Sequence, residues 1–238
     1  MESMADTALD DWFEGPLGVR VLREEAALAT LALDTVFGFE LLQVGAWGPA
    51  CHLLSSARTQ HTTLVAPELS PGVTLCAPLD ALPFRSDSID AILLPHTLEL
   101  VEDPYAVLRE AERVLTAEGC LMICGFNPFS GWGARRVFGR YVGRRPFPPH
   151  TQRMLSERRL RDWVALLGFD VDSVHGYLGF LPMKGGAAEV HPRRALTAGA
   201  YLLKARKRVS TLTLVLPRRR VRQRVLVGAA EPTNKVRP

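Results

Sequence analysis

One short stretch, residues 39–48, constrains the fold more than any other part of this chain. Its sequence, F-E-L-L-Q-V-G-A-W-G, is an apolar run that stops abruptly at two glycines. The pattern is typical of a buried parallel strand that runs into a tight turn and then a helix. Glycine suits such a turn because a backbone without Cβ can bend sharply and lie against a ligand. In open α/β sheets, ligands bind at these turns, so the stretch predicts a binding site as well as a fold class.

The rest of the chain continues the alternation of strand and helix patterns. We predict helices over residues 17–36, from about Pro49, from 103 to about 119, and over 157–167. We predict strands at residues 40–45, 62–66, 73–76, 88–94 and 121–124, from 169 onward, and at 200–207. This order favours right-handed crossovers and a mostly parallel sheet in one α/β domain.

The charges are distributed unevenly along the chain. Residues 206–238 carry ten Lys/Arg against one acid, Glu231, whereas residues 1–205 carry 19 Lys/Arg against 24 Asp/Glu. A basic tail of this kind is either a solvated arm or a contact for nucleic acid or an anionic membrane. A second basic segment, residues 126–161, holds nine arginines and one acid, Glu157. It is either a solvated helix face or a cationic cover over a substrate.

The four cysteines and the apolar runs indicate the compartment. Cys120 and Cys124 lie on one face of a predicted strand, which favours a buried, reduced role, and the four together form neither a disulfide framework nor a zinc pattern. The histidines show no metal-ligand spacing. We find no apolar run of bilayer length, and the acidic N-terminus is unlike a signal peptide. A cytoplasmic location is therefore expected.

The turn at residues 43–49 resembles motif I of class I S-adenosylmethionine (SAM) dependent methyltransferases, D/E-x-G-x-G-x-G. Gly45 fits the first glycine, while Trp47 and Pro49 stand at the second and third, and Gln43 stands where an acid is usual. Residues 79–104, L-D-A-L-P-F-R-S-D-S-I-D-A-I-L-L-P-H-T-L-E-L-V-E-D-P, and the following L-R-E-A-E-R-V-L-T-A-E-G-C-L-M-I are similar to the methyltransferase type 11 group. That group includes ubiquinone and menaquinone biosynthesis enzymes.

The resemblance implies a Rossmann-like, seven-stranded, mostly parallel sheet with helices on both faces and an antiparallel last strand. It also implies SAM as the cofactor. The cofactor contacts that it implies are Gly45, Ala46, Trp47, Gly48, Glu68, Leu79, Asp80 and His96. The family's acidic residue near adenine maps onto Pro78. His96 stands where type 11 enzymes face the methyl group, so it is either a catalytic base or a locally hydrogen-bonded histidine.

An aromatic, glycine-rich loop follows the fifth predicted strand and leads into the arginine-rich segment. Because it lies at the carboxyl edge of the sheet, it is a candidate for lining a substrate pocket. The candidate substrate contacts are Asn127, Phe129, Trp132, Arg135 and Arg136.

Three functions compete at this point. The first is a SAM-dependent methyltransferase acting on a small-molecule acceptor, for which an anionic compound is a candidate. The second is an inactive methyltransferase fold that serves as a binding module, with Trp47 occluding the cofactor cleft. The third is an anionic-surface binder that uses the arginines and the tail. We divide the chain into a lead-in (1–16), a methyltransferase-like domain (17–208, with 126–161 as an arginine-rich cover) and a basic tail (209–238).

Overall fold

The computed structural model describes residues 9, 11–49, 52–141, 151–179 and 198–208. The helices are α1 (Pro16–Leu33), α2 (Thr97–Leu100), α3 (Pro104–Val114), α4 (Gly131–Tyr141) and α5 (Glu157–Leu166). The strands are β1 (Glu40–Val44), β2 (His61–Ala66), β3 (Leu75–Cys76), β4 (Ile89–Pro95), β5 (Leu115–Phe126), β6 (Phe169–Tyr177) and β7 (Ala200–Lys207). The proposed basic tail, 209–238, lies outside the described residues.

The strands form one seven-stranded sheet in the order β3-β2-β1-β4-β5-β7-β6. The first five are parallel to one another, and β7 runs antiparallel to both of its neighbours, β5 and β6. The Rossmann-like sheet with an antiparallel last strand is therefore confirmed. The reversal of strand order lies at β1 and β4, the kind of switch point at which open α/β sheets bind ligands.

Each face of the sheet is covered by helices, as predicted. On one face, Leu42 and Leu94 pack with Leu108 of α3 and Leu160 of α5. On the other face, residues of β1, β4 and β5 pack with α1 and with Trp132 at the start of α4. The alternation of strand side chains places Cys120 and Cys124 together on the second face, where both are buried.

Several boundaries differ from the sequence prediction. The described residues 52–56 after β1 form turns, so the helix expected from Pro49 is wrong for that stretch. The helix that begins at Pro104 ends at Val114 rather than near residue 119, because the chain passes directly into a twelve-residue β5. The short helix α2 was not predicted. As expected, no helix separates β2 from β3.

The predicted lead-in contacts the domain through its aromatic residues. Phe13 is buried, and its ring lies edge-on to Trp47 with the centroids 4.9 Å apart. The ring of Trp12 lies 5.8 Å from the same indole. None of the helices in the described ranges combines the length and the apolar composition that crossing a bilayer requires.

Candidate functional site

The turn after β1 is shaped for close approach to its backbone. Gly45 has φ +98° and Gly48 has φ +71°, and both values favour glycine. The Gly45 amide donates to the Val65 carbonyl of β2 at 2.8 Å. A Cβ added at Gly45 would stand 2.6 Å from Thr97 Oγ1, so the turn has no room for a larger residue. Position 45 therefore favours glycine both for its positive φ and because a Cβ would clash with Thr97.

A cavity of about 360 Å³ opens over this turn, at the carboxyl ends of β1 and β2. This volume falls within the range of small-molecule sites. Its lining residues are Leu9, Gly45, Ala46, Ala66, Pro67, Glu68, Ser70, Leu79, Thr97, Leu100 and Val101. The cavity is thus formed by the glycine turn that the sequence singled out, together with α2 and the residues after β2.

Four of the eight predicted cofactor contacts line this cavity: Gly45, Ala46, Glu68 and Leu79. The other four, Trp47, Gly48, Asp80 and His96, are absent from the lining. Asp80 is exposed beside Leu79.

Thr97 was missed by the sequence reasoning, although it lies just after β4. Its hydroxyl donates to the Val44 carbonyl at 2.5 Å, which ties α2 to the end of β1.

Trp47 points into the protein core rather than into the cavity. Its indole is 1% exposed, and its Nε1–H donates to Glu25 Oε2 at 2.7 Å. One ring face lies against His96, with the ring centroids 4.3 Å apart. The bulky residue at the second glycine position therefore packs behind the turn, and the cleft in front of it stays open.

His96 lies at the centre of a fully buried polar cluster. Its Nδ1 is 2.7 Å from Glu99 Oε2, and its Nε2 is 2.6 Å from Glu25 Oε1. The Tyr177 hydroxyl donates to the same Glu25 oxygen at 2.8 Å. The second Glu99 oxygen accepts the Phe126 backbone amide at 2.9 Å. We define the His96 cluster as Glu25, Trp47, His96, Glu99 and Tyr177.

The electrostatics of the His96 cluster favour an imidazolium. Burial alone would lower the pKa of His96, but the adjoining carboxylates of Glu25 and Glu99 outweigh it and raise the pKa to about 9 from 6.5. Burial raises the pKa of Glu99, against the opposing effect of its hydrogen bond with His96. At neutral pH His96 therefore donates through both nitrogens and has no lone pair to accept a proton. A general base needs such a lone pair, and the catalytic role of His96 stays a prediction.

His96 also carries backbone strain. It has φ +53°, in the left-handed region, although it is not a glycine. Such a conformation persists where the surrounding structure over-determines it, and it is found often at functional sites. The His96 amide donates to the Cys124 carbonyl at 3.1 Å, and its carbonyl accepts the Glu99 amide at 3.0 Å, while the two carboxylates fix the ring.

Glu25 is the main functional candidate that sequence reasoning missed. Glu24 and Glu25 lie on α1 and are only 6% and 1% exposed, which is unusual for carboxylates. Glu24 accepts the Leu178 amide at 2.7 Å and pairs with Arg20. The adjoining pair of acids in this mainly apolar helix was the available signal.

The five predicted substrate contacts lie beyond the carboxyl end of β5. The Asn127 amide side chain donates to the Ala198 carbonyl, and its Oδ1 accepts the Phe129 amide, so Asn127 shapes the loop. Trp132 is buried and stacks on Phe126, with centroids 5.5 Å apart. Phe126 lies in turn 4.2 Å from the His96 ring. This loop therefore covers the His96 cluster rather than the cavity over Gly45.

The two arginines of the set lie on α4. Arg135 is exposed, and Arg136 donates through Nη2 to the carbonyls of Thr151 and Gln152. Arg136 thereby fastens α4 to the segment before α5.

Comparison with known proteins agrees with this geometry. Residues 43–123 match the family model of a methyltransferase domain, the type 11 model. The chain is 34% identical over 179 residues to the uncharacterized protein YafS of Escherichia coli, covering 75% of this chain and 72% of that protein. This chain belongs to the methyltransferase type 11 family.

Other similarities are more local or concern the fold. The chain is 36% identical over 75 residues to a malonyl-[acyl-carrier protein] O-methyltransferase of Halorhodospira halophila, covering 32% of this chain and 25% of that enzyme. A solved SAM-dependent methyltransferase of Thermotoga maritima, described as a possible histamine N-methyltransferase, superposes with a TM-score of 0.68 at 20% identity, covering 83% of this chain and 94% of the other. At that identity the superposition shows a shared fold.

Proposed function

We propose that this protein is a SAM-dependent methyltransferase that acts on a small-molecule acceptor. The observation that carries the proposal is the open cavity over Gly45, at the turn after β1, inside the stretch that matches the type 11 family model. The departures from motif I do not close it, because Trp47 packs into the core.

The residues of the cavity fit the proposed cofactor. The backbone of Gly45 and Ala46 would hold its methionine end, Glu68 would accept from the ribose hydroxyls, and Leu79 would contact adenine. Gln43, at the acidic position of motif I, donates its amide to the Gly45 carbonyl. Its buried Oε1 has no hydrogen-bond partner among the described residues. A hydrogen-bond donor of a ligand bound at the turn would supply that partner.

SAM, when bound, supplies an electrophilic methyl group that an acceptor heteroatom takes in line as the carbon–sulfur bond breaks. The protein's part in such a displacement is chiefly positioning. The His96 cluster and the loop before α4 are the proposed acceptor end of the site. Arg135 and Arg136 are the proposed contacts for an anionic acceptor.

A second candidate is a binding module that holds the cofactor without transferring its methyl group. The observation in its favour is that every member of the His96 cluster is buried, so an acceptor would reach His96 only after α1 or the residue 127–132 loop moves. The two candidates share cofactor binding and differ in turnover. Transfer of a labelled methyl group from SAM to any acceptor in a cell extract would therefore decide between them.

Cofactor binding is tested by calorimetric titration with S-adenosylhomocysteine. We expect the parent protein to bind and Gly45→Ala to lose at least about tenfold in affinity, since the new Cβ meets Thr97 in a strained turn. Gly168→Ala is the matched control: Gly168 has a similar φ of +83° and lies between α5 and β6, but an added Cβ would come no closer than 4.0 Å to the Arg208 carbonyl oxygen. Absence of binding by the parent, or equal losses in both variants, would reject the assigned cofactor site.

A further inference from the structure

Trp47, which stands at the second glycine position of motif I, is in contact with the lead-in. The Phe13 ring meets the indole edge-on with the ring centroids 4.9 Å apart, and the Trp12 ring lies 5.8 Å from it. Trp12 and Phe13 also contact each other, with centroids 5.1 Å apart. Aromatic pairs at such distances stabilise a structure beyond the area that they bury. The lead-in is therefore attached to the turn after β1 by three mutually packed rings, which we call the Trp47 anchor.

Trp47 itself is held from the side of the domain. Its Nε1–H donates to Glu25 of α1, and its ring centroid lies 4.3 Å from that of His96. A side chain whose rotamer is fixed by packing and by a hydrogen bond can position the groups that contact it. The Trp47 anchor thus gives the lead-in a defined place on the domain.

The backbone of the lead-in also lies close against the first turn of α1. A Cβ added at Gly18 would stand 2.2 Å from the Trp12 carbonyl oxygen and 2.6 Å from Phe13 Cα. Only a residue without Cβ allows the two backbones to approach so closely. The position of the lead-in is therefore fixed by its main chain as well as by its rings.

This arrangement places Leu9 at the cavity over Gly45. Of the described lead-in residues, Leu9 alone belongs to the lining of that cavity. It packs against the same core cluster as Leu100 of α2, which also lines the cavity. Apolar walls of this kind cover most of the surface of a bound small molecule and exclude water from it. Leu9 therefore supplies part of the cavity wall from outside the strand-to-helix turns.

We propose that Trp47 anchors the lead-in so that Leu9 forms one wall of the cofactor site. This inference rests on the proposed function, because it assigns the cavity to SAM. Trp47 is then a positioning residue: it acts through Leu9 and does not touch the cofactor. The residue that departs from motif I thereby supports cofactor binding, and a return to glycine removes the anchor.

The first experiment compares affinities for S-adenosylhomocysteine by calorimetric titration of the full chain. Leu9→Ser should raise the dissociation constant roughly fivefold, because serine lacks the apolar area that a half-buried leucine contributes. The unfolding temperature of ligand-free Leu9→Ser should stay near that of the parent, which separates a role in binding from a role in folding. Leu166→Ser is the matched control: this leucine is 77% exposed on α5, which packs on the other face of the sheet, and the variant should bind as the parent does.

The second experiment restores the residue that motif I predicts. Trp47→Gly should bind S-adenosylhomocysteine at least about tenfold more weakly than the parent, because the ligand then has to order the lead-in as it binds. Trp47→Phe keeps a ring in the anchor and should lose less affinity. Circular dichroism establishes whether Trp47→Gly folds, and Leu9→Ser decides the question if it does not.

Hydrogen exchange measured by mass spectrometry follows the lead-in directly. In the parent, S-adenosylhomocysteine should slow amide exchange in residues 11–15 as well as in residues 43–49, because a ligand that contacts Leu9 opposes local opening of the lead-in. Protection of residues 43–49 alone would overturn the inference.

Two further results would also overturn it. One is a Leu9→Ser variant that binds as tightly as the parent, and the other is a folded Trp47→Gly variant that binds more tightly. In each of these cases the parent still binds, so the cofactor site stands and only the role of the lead-in is rejected. Absence of binding by the parent would reject the proposed function and this inference together.

Discussion

Glu25 Oε1 and His96 Nε2 lie 2.6 Å apart in a fully buried pair, although 71 residues separate them in the chain. The pair joins α1 to the carboxyl end of β4, beside the cavity over Gly45. It also fixes the charge state of the His96 cluster. The stability of the domain and its dependence on pH therefore follow from this contact.

The first prediction concerns pH. The pKa of His96 rises from 6.5 to about 9 on folding, so its contribution to stability is complete below pH 6.5 and is lost as pH rises through 9. The unfolding free energy should fall by up to about 3 kcal/mol across this window. Urea titrations at several pH values should show this loss in the parent and not in His96→Gln.

The pH experiment needs one correction and one control. Burial raises the pKa of Glu99 above 4.5, which lowers stability with rising pH in the same direction. Because the hydrogen bond with His96 opposes that rise, His96→Gln also changes Glu99, and the difference between parent and variant reports on the His96–Glu99 pair. His61→Gln, at an exposed position, should reproduce the parent profile. A profile for His96→Gln that superimposes on the parent's would contradict the assigned imidazolium.

The second prediction concerns the carboxylate of Glu25. It accepts hydrogen bonds from Trp47, His96 and Tyr177, so Glu25→Gln leaves a buried imidazolium without its closest counter-charge. We expect destabilisation of about 3–5 kcal/mol, and a much smaller additional loss when His96→Gln is combined with it. Thermal unfolding of both single variants and the double variant measures the coupling. Glu102→Gln changes an exposed side chain and should leave the unfolding free energy unchanged. Strictly additive losses in the double variant would argue against the contact between Glu25 and His96.

The third prediction concerns the end of β7. The ammonium group of Lys207 binds Asp87 Oδ1 at 2.9 Å and the carbonyls of Glu112 and Leu115 at 2.7 and 2.9 Å. Lys207→Met should cost about 2 kcal/mol, because it leaves buried carbonyl oxygens without a donor. The adjacent Arg208 pairs with Asp170 at the surface, so Arg208→Met should change stability by less than about 0.5 kcal/mol. Urea denaturation distinguishes the two, and equal effects would refute the anchoring role.

The fourth prediction concerns thiol reactivity. Burial raises the pKa of Cys120 to about 11 and that of Cys124 well above its ordinary value, whereas Cys76 is exposed. Because the thiolate is the reactive form, iodoacetamide should modify Cys76 and spare Cys120 and Cys124 until the protein unfolds. Peptide mass spectrometry after timed alkylation measures the extent of modification at each cysteine. Early modification of Cys124 would show that the second face of the sheet is not packed as described.

Local signals in the sequence were enough to predict most of the architecture. Asp103 accepts the amides of Tyr105 and Ala106, and Pro104 takes the first helical position, as the Asp-Pro pair predicts. Ser156 caps α5 in the same way, and Gly168 ends that helix with φ +83°. These features depend on residues within a few positions of one another, so a single sequence is sufficient to find them.

The candidate site was predictable only in part, because its polar contacts join distant segments. The turn at Gly45 was visible in the sequence, since glycines mark it directly. Glu25 was not, because its partners His96, directly after β4, and Tyr177, on β6, lie 71 and 152 residues away. The direction of the Trp47 side chain was equally hidden: only the buried Glu25 carboxylate, which accepts its Nε1–H, shows why the indole turns away from the cleft.

A crystal structure of the protein soaked with S-adenosylhomocysteine tests the central claim most directly. The account predicts ligand density in the cavity lined by Gly45, Ala46, Glu68 and Leu79, with the Trp47 indole still bonded to Glu25. A cavity without ligand at saturating concentration, or an indole that has swung into it, would contradict the assignment.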